Sequence, residues 1–306
     1  MTVLSEHFLN MEKWGDFPES SLEEINNAAK LIDENPDVSK LFSKLVKKYM
    51  SAHPRHLGSI YLPQLKAVEK STGLHEYTVN FLYIMACSEI LHERYKEKGI
   101  DEEIFRGIAK DFRCKLIECI ECERVTGTFV ADWNDGFFSM NRFPLGRFQF
   151  EYSDFDRNYI TEGGIKIKRG QKCLNMHIPS LGTSITDDIR LDSYKRAYDF
   201  FPGVRMKNGL LPVQCSSWLL FPAHRQMLPE TSNIIKFMND FEIYESKTRD
   251  NFNDDWRIWG HYSDLPLEER PADTSLRKGY KDWMMAGNKT GYGRGILFFD
   301  GEKIVK

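Results

Sequence analysis

The chain has 306 residues, a mass of 35.8 kDa, and is 41% hydrophobic, 28% charged and 13% aromatic. This composition excludes a disordered or low-complexity chain, and at about 100–200 residues per domain the length predicts two domains. A net charge of −3 and a pI near 6.3 exclude the overall basic footprint of a general nucleic-acid binder.

The first seventeen residues carry Glu6, Glu12 and Lys13 and have no apolar block or small-residue cleavage site, unlike a secretory leader. No stretch approaches eighteen uncharged apolar residues, so no spanning helix and no membrane partner is predicted. A cytoplasmic location is the expectation. The 6 cysteines fit it, because they lack the dense spacing of a small disulfide-bonded secreted domain.

Helical spacing dominates residues 1–125. Ser20 and Glu23 have the form of a capping box, and Leu22, Ile25, Ala28, Ala29 and Ile32 follow at helical intervals. Asn35-Pro36 stops that helix, and Val38, Leu41, Phe42, Leu45, Val46 and Tyr49 mark the next. Residues 51–63, with His53 and His56, read as a solvated loop. A short helix passes through Leu65 and Val68, a long buried one covers 75–96, and another starts at Asp101 and runs to about Arg124. Cys114, Cys119 and Cys122 on this last helix mimic a metal or redox motif. No second pair follows at zinc spacing, so they read as helix core, with no metal expected.

From Thr126 the texture changes to alternating aromatic, β-branched and polar residues. Residues 137–143 and 147–152 read as strands about the turn Pro144-Leu145-Gly146, and 165–168 and 173–178 as two more about Arg169-Gly170. A helix spans 186–200, a strand 211–220 and a short helix 232–239. Strands at 241–246 and 256–259, a helix at 274–286 and a strand at 293–299 complete the order. The expectation is α+β: an all-helical domain over 1–125, then a mixed β-sheet covered by helices over 126–306.

The strongest local feature is the strand running into Ile178-Pro179-Ser180-Leu181-Gly182-Thr183-Ser184 and then a helix. Such a junction can aim backbone N–H groups at an anion, although an ordinary connection capped by Ser184 or Thr186 has the same composition. Asp187 and Asp188 satisfy the helix dipole themselves, and Arg190 can offset them. His177 alternates with Met176, and a histidine facing a cleft can serve as a general base near neutral pH. Cys215 lies in a strand, where a thiol is usually a small core residue. The glycine-rich run Gly287–Gly295 lacks the lysine and hydroxyl spacing of a phosphate loop and reads as a helix-ending turn.

Several segments together carry a resemblance. They are Arg142–Glu151, Leu174–Pro179, Cys215–Leu220, Leu228–Ile234 and Thr274–Leu276 with Ala286-Gly287, in that order. They resemble a two-domain GNAT-like acyltransferase family, in which a helical N-terminal domain precedes a GNAT-like C-terminal domain. The resemblance covers about residues 126–300. It implies a sheet whose central strands, 173–178 and 211–220, splay apart to admit acyl-coenzyme A. It further implies an N-acyltransferase that passes an acyl group, acetyl being the expectation, from acetyl-CoA or another acyl-CoA to a small-molecule or peptide amine.

In that reading His177 takes the amine proton and Glu151 orients the amine. Backbone groups at Met176–Ile178 face the oxyanion, and Ser180, Leu181, Gly182, Thr183, Ser184 and Asn233 hold the coenzyme. Arg147, Cys215 and Trp218 line the substrate. The cradle differs from the superfamily's in having one glycine, and the eighth residue counting from Asn233 is Asp240 rather than a tyrosine. These departures keep a second reading open, a GNAT-shaped ligand- or protein-binding module that has lost coenzyme A. A homodimer is open in both.

Overall fold

The helical spacing of the first half resolves into α1 (Glu6–Gly15), α2 (Glu19–Asp33), α3 (Pro36–Ser51), α4 (Lys66–Thr72), α5 (Glu76–Glu97) and α6 (Glu102–Glu123). The computed structural model describes residues 2–51, 54–252 and 254–306, so His53 lies outside the described residues. By packing, the chain divides into two units, Met1–Pro144 and Leu145–Lys306. In the first unit α5 is the central helix, with Val79, Leu82, Tyr83, Ile84, Met85 and Cys87 all fully buried. Among the described residues no helix is long and apolar enough to cross a membrane.

Two local expectations change here, while Cys114 and Cys119 keep the helix-core reading. The box at Ser20 does not form, because the N-cap lies two residues earlier, at Pro18, and the Ser21 hydroxyl donates to the Pro18 carbonyl at 2.7 Å. Exposed His56 takes φ 61° and precedes a π-helical turn, Leu57–Tyr61, inside the predicted loop. Cys114 and Cys119 are buried in α6, and burial pushes both thiols up to about 12.

Residues 126–141 hold no strand. Thr128 N–H donates to the Tyr77 carbonyl at 3.0 Å, and the Thr78 hydroxyl donates to the Thr126 carbonyl at 2.9 Å. A Cβ on Gly127 would stand 2.4 Å from the Tyr77 backbone, so glycine here permits a close approach to α5 rather than a hairpin. The Phe137-Phe138 pair then lies in a helical turn, α7 (Asp135–Phe138), with both rings fully buried.

β1 (Arg142–Leu145) spans the division between the units. The second unit continues with β2 (Phe148–Asp154), β3 (Tyr159–Ile160), β4 (Lys166–Ile167), β5 (Lys172–His177), α8 (Asp187–Phe200) and β6 (Leu211–Ser217). It ends with α9 (His224–Met227), α10 (Asn233–Asp240), β7 (Glu242–Arg249), α11 (Trp256–Trp259), α12 (Ser275–Met285), β8 (Thr290–Phe299) and β9 (Ile304–Val305). The sheet order is β1-β2-β5-β6-β8-β7, with β9 on β8. β4 pairs with β3 in a separate two-stranded sheet, not with β5 as the turn at Arg169-Gly170 suggests. The expected strand at 256–259 is a helical turn, closed by Trp259 N–H on the Asp255 carbonyl at 2.9 Å.

Alternation gives the sheet two faces. Phe148, Phe150, Leu174, Met176, Val213 and Cys215 share one, where Phe148 meets Tyr194 of α8 and Phe237 of α10 at 5.8 and 5.9 Å between ring centres. The other bears Gln149, Glu151, Asn175, His177 and Gln214, and further along it Cys173, Ile296 and Phe298 join Phe155, Ile167 and Leu210 in an apolar cluster. The glycines of 287–295 belong mostly to β8. A Cβ on Gly293 would sit 2.1 Å from the Leu220 carbonyl oxygen, so the strand is bare where the chain leaving β6 crosses it.

Candidate functional site

β5 and β6 are parallel and paired over two rows, Leu174 opposite Val213 and Asn175 opposite Gln214. Beyond that row β5 stays with β2 as far as His177, and β6 stays with β8 as far as Ser217. Each strand is held by its outer neighbour, so the two part and leave a wedge. Its inner edges, around Met176–Ile178 and Cys215–Ser217, are strand edges that an extended ligand can join.

His177 stands on the edge of this wedge. Its Nε2 is 2.7 Å from Glu151 Oε2, with the side chains 16% and 23% exposed. Asn175 Nδ2 lies 3.2 Å from the same nitrogen. The arrangement follows from register: Gln149 faces His177 and Glu151 faces Asn175, so all four point to one side. With Nε2 carrying its hydrogen, Glu151 accepts the bond, fixes the imidazole's orientation and stabilises its cationic form.

After β5 the chain turns at Pro179 and is strapped down by Arg147. Its Nη1 donates to the Pro179 carbonyl at 2.7 Å and its Nε to the Thr183 carbonyl at 3.3 Å. Gly182, at φ 70°, has open space above it. Ser180, Gly182, Thr183 and Ser184 are exposed and Leu181 is half-buried. Asn233, first residue of α10, donates through Nδ2 to the Ser184 hydroxyl at 2.7 Å and pins the far end of the loop.

Thr186 occupies the N-cap position of α8, and its hydroxyl turns to Asp188 Oδ1 at 2.5 Å. That bond, with the backbone N–H groups of the first turn, lowers the Asp188 pKa. Arg190 is engaged from both sides, with Nη1 3.0 Å from Asp187 and Nε 2.6 Å from Asp240. Its charge is therefore spent on two carboxylates.

The structure brings His177, Glu151, Met176 and Ile178 to the wedge, and groups Ser180–Ser184 with Asn233 on the adjoining loop. Arg147 braces that loop through its backbone. Cys215 is not brought to His177's side. It is 2% exposed on the helix-covered face, and burial pushes its thiol up to about 12. Trp218 follows β6 in a 3-10 turn and packs 6.0 Å from the rings of His224 and Tyr280.

Sequence reading misses Asn175, Gln149 and Gln214, although counting two residues either way from His177 and Glu151 finds the first two. Gln214 occupies the last paired row of the wedge and donates to the Ser153 hydroxyl at 2.9 Å. Only the β5–β6 pairing reveals it.

Residues 143–297 match a family model described as a GNAT-like C-terminal domain, and residues 11–140 match one described as an N-acyltransferase N-terminal domain. No curated protein matches the chain. Among solved structures, it is similar to an acyltransferase in complex with decanoyl-CoA and teicoplanin. That match has 19% identity over 96% of this chain and 88% of the other, with a TM-score of 0.71. An acyltransferase mutant in complex with octanoyl-CoA matches at 18% identity over 98% and 88%, also at 0.71. An acyltransferase in complex with CoA and 10C-teicoplanin matches at 18% over 95% and 87%, again at 0.71. At these identities the likeness establishes the fold.

Proposed function

Because the chain belongs to the two-domain family that joins an N-acyltransferase N-terminal domain to a GNAT-like C-terminal domain, we propose that it is an acyl-CoA-dependent acyltransferase acting on an amine. The parting of β5 from β6 beside the His177–Glu151 pair carries this reading.

The acyl-CoA supplies an activated thioester, and its pantetheine arm enters the wedge along the inner edge of β5. Leu181 N–H is turned back onto the Pro179 carbonyl at 3.0 Å, so the amides of Gly182 and Thr183 face its pyrophosphate. The amine nitrogen attacks the thioester carbon, the C–N bond forms and the C–S bond breaks. His177, held by Glu151, takes the amine proton, a step worth about 10²–10⁴ in rate. A backbone N–H near Met176–Ile178 stabilises the oxyanion. The thiolate leaves and takes a proton from water. The acceptor is a small molecule or peptide bearing a primary or secondary amine, and teicoplanin in a similar structure illustrates the small-molecule case.

A second reading, the binding module without coenzyme A, is favoured by one observation. Asp187 and Asp188 crowd the helix start while Arg190 is taken up by Asp187 and Asp240.

Calorimetric titration with acetyl-, octanoyl- and decanoyl-CoA separates the two. Acetyl is the group the sequence resemblance implies, and the longer chains accompany the similar structures. Binding of one of them, with thiol release on adding an amine panel, supports the enzyme. No binding of any up to millimolar overturns it in favour of the module.

A further inference from the structure

β6 ends in two serines with different surroundings. Ser217 Oγ accepts from the Leu219 N–H at 3.1 Å and starts the 3-10 turn that leaves the strand. Ser216 is exposed, and its hydroxyl makes no hydrogen bond among the described residues.

Register places Ser216 in the wedge. Leu174 stands opposite Val213 and Asn175 opposite Gln214, so two residues further on His177 and Ser216 fall in one row, on either side of the gap. Alternation turns Gln214 and Ser216 to the face that bears Asn175 and His177, while Cys215 between them is buried on the other. The register with β8 agrees. Ser216 pairs with Arg294, whose guanidinium lies 5.6 Å from the ring of Tyr244, which packs on the apolar cluster of that same face. Arg294 walls this side without offering free charge, since Nη2 is 2.8 Å from Asp156 and Nη1 3.4 Å from Glu245. At the closed end of the wedge the Gln214 amide already donates to the Ser153 hydroxyl. Ser216 therefore presents an uncommitted hydroxyl opposite His177.

We infer that Ser216 is a catalytic residue that holds the attacking nitrogen from the side opposite His177. The inference rests on the acyl-CoA reading and deepens it. A primary amine brings two hydrogens. As the C–N bond forms and the C–S bond breaks, one goes to His177, and the other stays on nitrogen in the amide product. Ser216 Oγ accepts a hydrogen bond from the one that stays, so the serine neither gains nor loses a proton. Held between two partners, the nitrogen lone pair is aimed at the thioester carbon. A secondary amine has only the hydrogen that His177 takes, so Ser216 has nothing to accept from it.

The test uses the full chain with octanoyl-CoA and a matched pair of amines, benzylamine and N-methylbenzylamine, and reads thiol release. Ser216→Ala and Ser216→Val should lower kcat/KM for benzylamine by about tenfold, the worth of one hydrogen bond. Ser216→Thr, which has the shape of valine and keeps the hydroxyl, should stay within about threefold of wild type. For N-methylbenzylamine all three variants should stay within about threefold, and octanoyl-CoA affinity by calorimetry should not change. A residue that only supports the strand would lower both amines together, and that result overturns the inference. So does an unchanged benzylamine rate in Ser216→Ala, a loss in Ser216→Thr equal to that in Ser216→Val, or octanoyl-CoA that binds but yields no thiol with either amine. If no acyl-CoA binds, the acyl-CoA reading itself has failed and this inference falls with it.

Discussion

His177 Nε2 and Glu151 Oε2 meet at 2.7 Å across two antiparallel strands, two rows out of register, beside the point where β5 leaves β6. The offset lets Glu151 hold the ring without standing directly opposite it. His177→Ala should therefore reduce thiol release from acyl-CoA, with an accepted amine, by about 10²–10⁴. Glu151→Gln should cost about 10- to 100-fold, and the pair together little more than His177→Ala alone. Acyl-CoA affinity by calorimetry should change by less than about threefold, since the pair acts on the acceptor's proton. Unchanged turnover in His177→Ala would remove the histidine from the chemistry.

Cys215 offers a contrasting case. It is buried on the helix side of β6, and its thiol is pushed up to about 12. Iodoacetamide at pH 8 should leave it unmodified in the native chain and label it after unfolding, read by peptide mass spectrometry. Cys215→Ala should keep turnover within about threefold and lower stability by about 1–2 kcal/mol. Rapid labelling of the native protein would place the thiol in the wedge after all.

Gly293 of β8 can be tested against Gly203, which lies in the short turn Pro202–Val204 after α8. Gly293→Ala puts a methyl group 2.1 Å from the Leu220 carbonyl oxygen, whereas Gly203→Ala meets nothing within 4 Å. The first substitution should cost about 1–3 kcal/mol in urea unfolding, and the second should be neutral or slightly stabilising. Equal stabilities would show that the crossing chain yields freely at Leu220.

His224 is fully buried, with Nε2 2.8 Å from the Tyr280 hydroxyl, and burial pushes its pKa down to about 4. In the unfolded chain it titrates near 6.5. Below that pH the unfolded state binds a proton that the folded state refuses. Stability is thus fully present above about pH 6.5 and declines as pH falls toward 4. Between pH 7 and pH 5, wild type should lose about 2 kcal/mol more than His224→Gln. His7, also held near 4 by burial, contributes equally to both proteins and cancels in the difference. Identical pH profiles would contradict the buried neutral state.

Much of this molecule is written locally. The helices α2, α3, α5, α6, α8, α10 and α12 all emerge from residue spacing, because helical hydrogen bonds join residues four apart. His177 and Glu151 emerge from strand alternation, and the loop through Gly182 from its turn residues. Short aromatic runs do not emerge correctly. Phe137-Phe138 and Trp256–Trp259 are too brief to show a period, and both are helical turns.

The sequence alone determines the α+β class, the passage from helical to mixed structure, and the family resemblance through five ordered segments. Tertiary structure alone decides that β5 and β6 part after two rows, that Cys215 turns away from His177, and that Gly127 and Gly293 serve close chain crossings. The reason is physical: each of these outcomes depends on pairing between segments dozens of residues apart, and local spacing carries no register for such pairs.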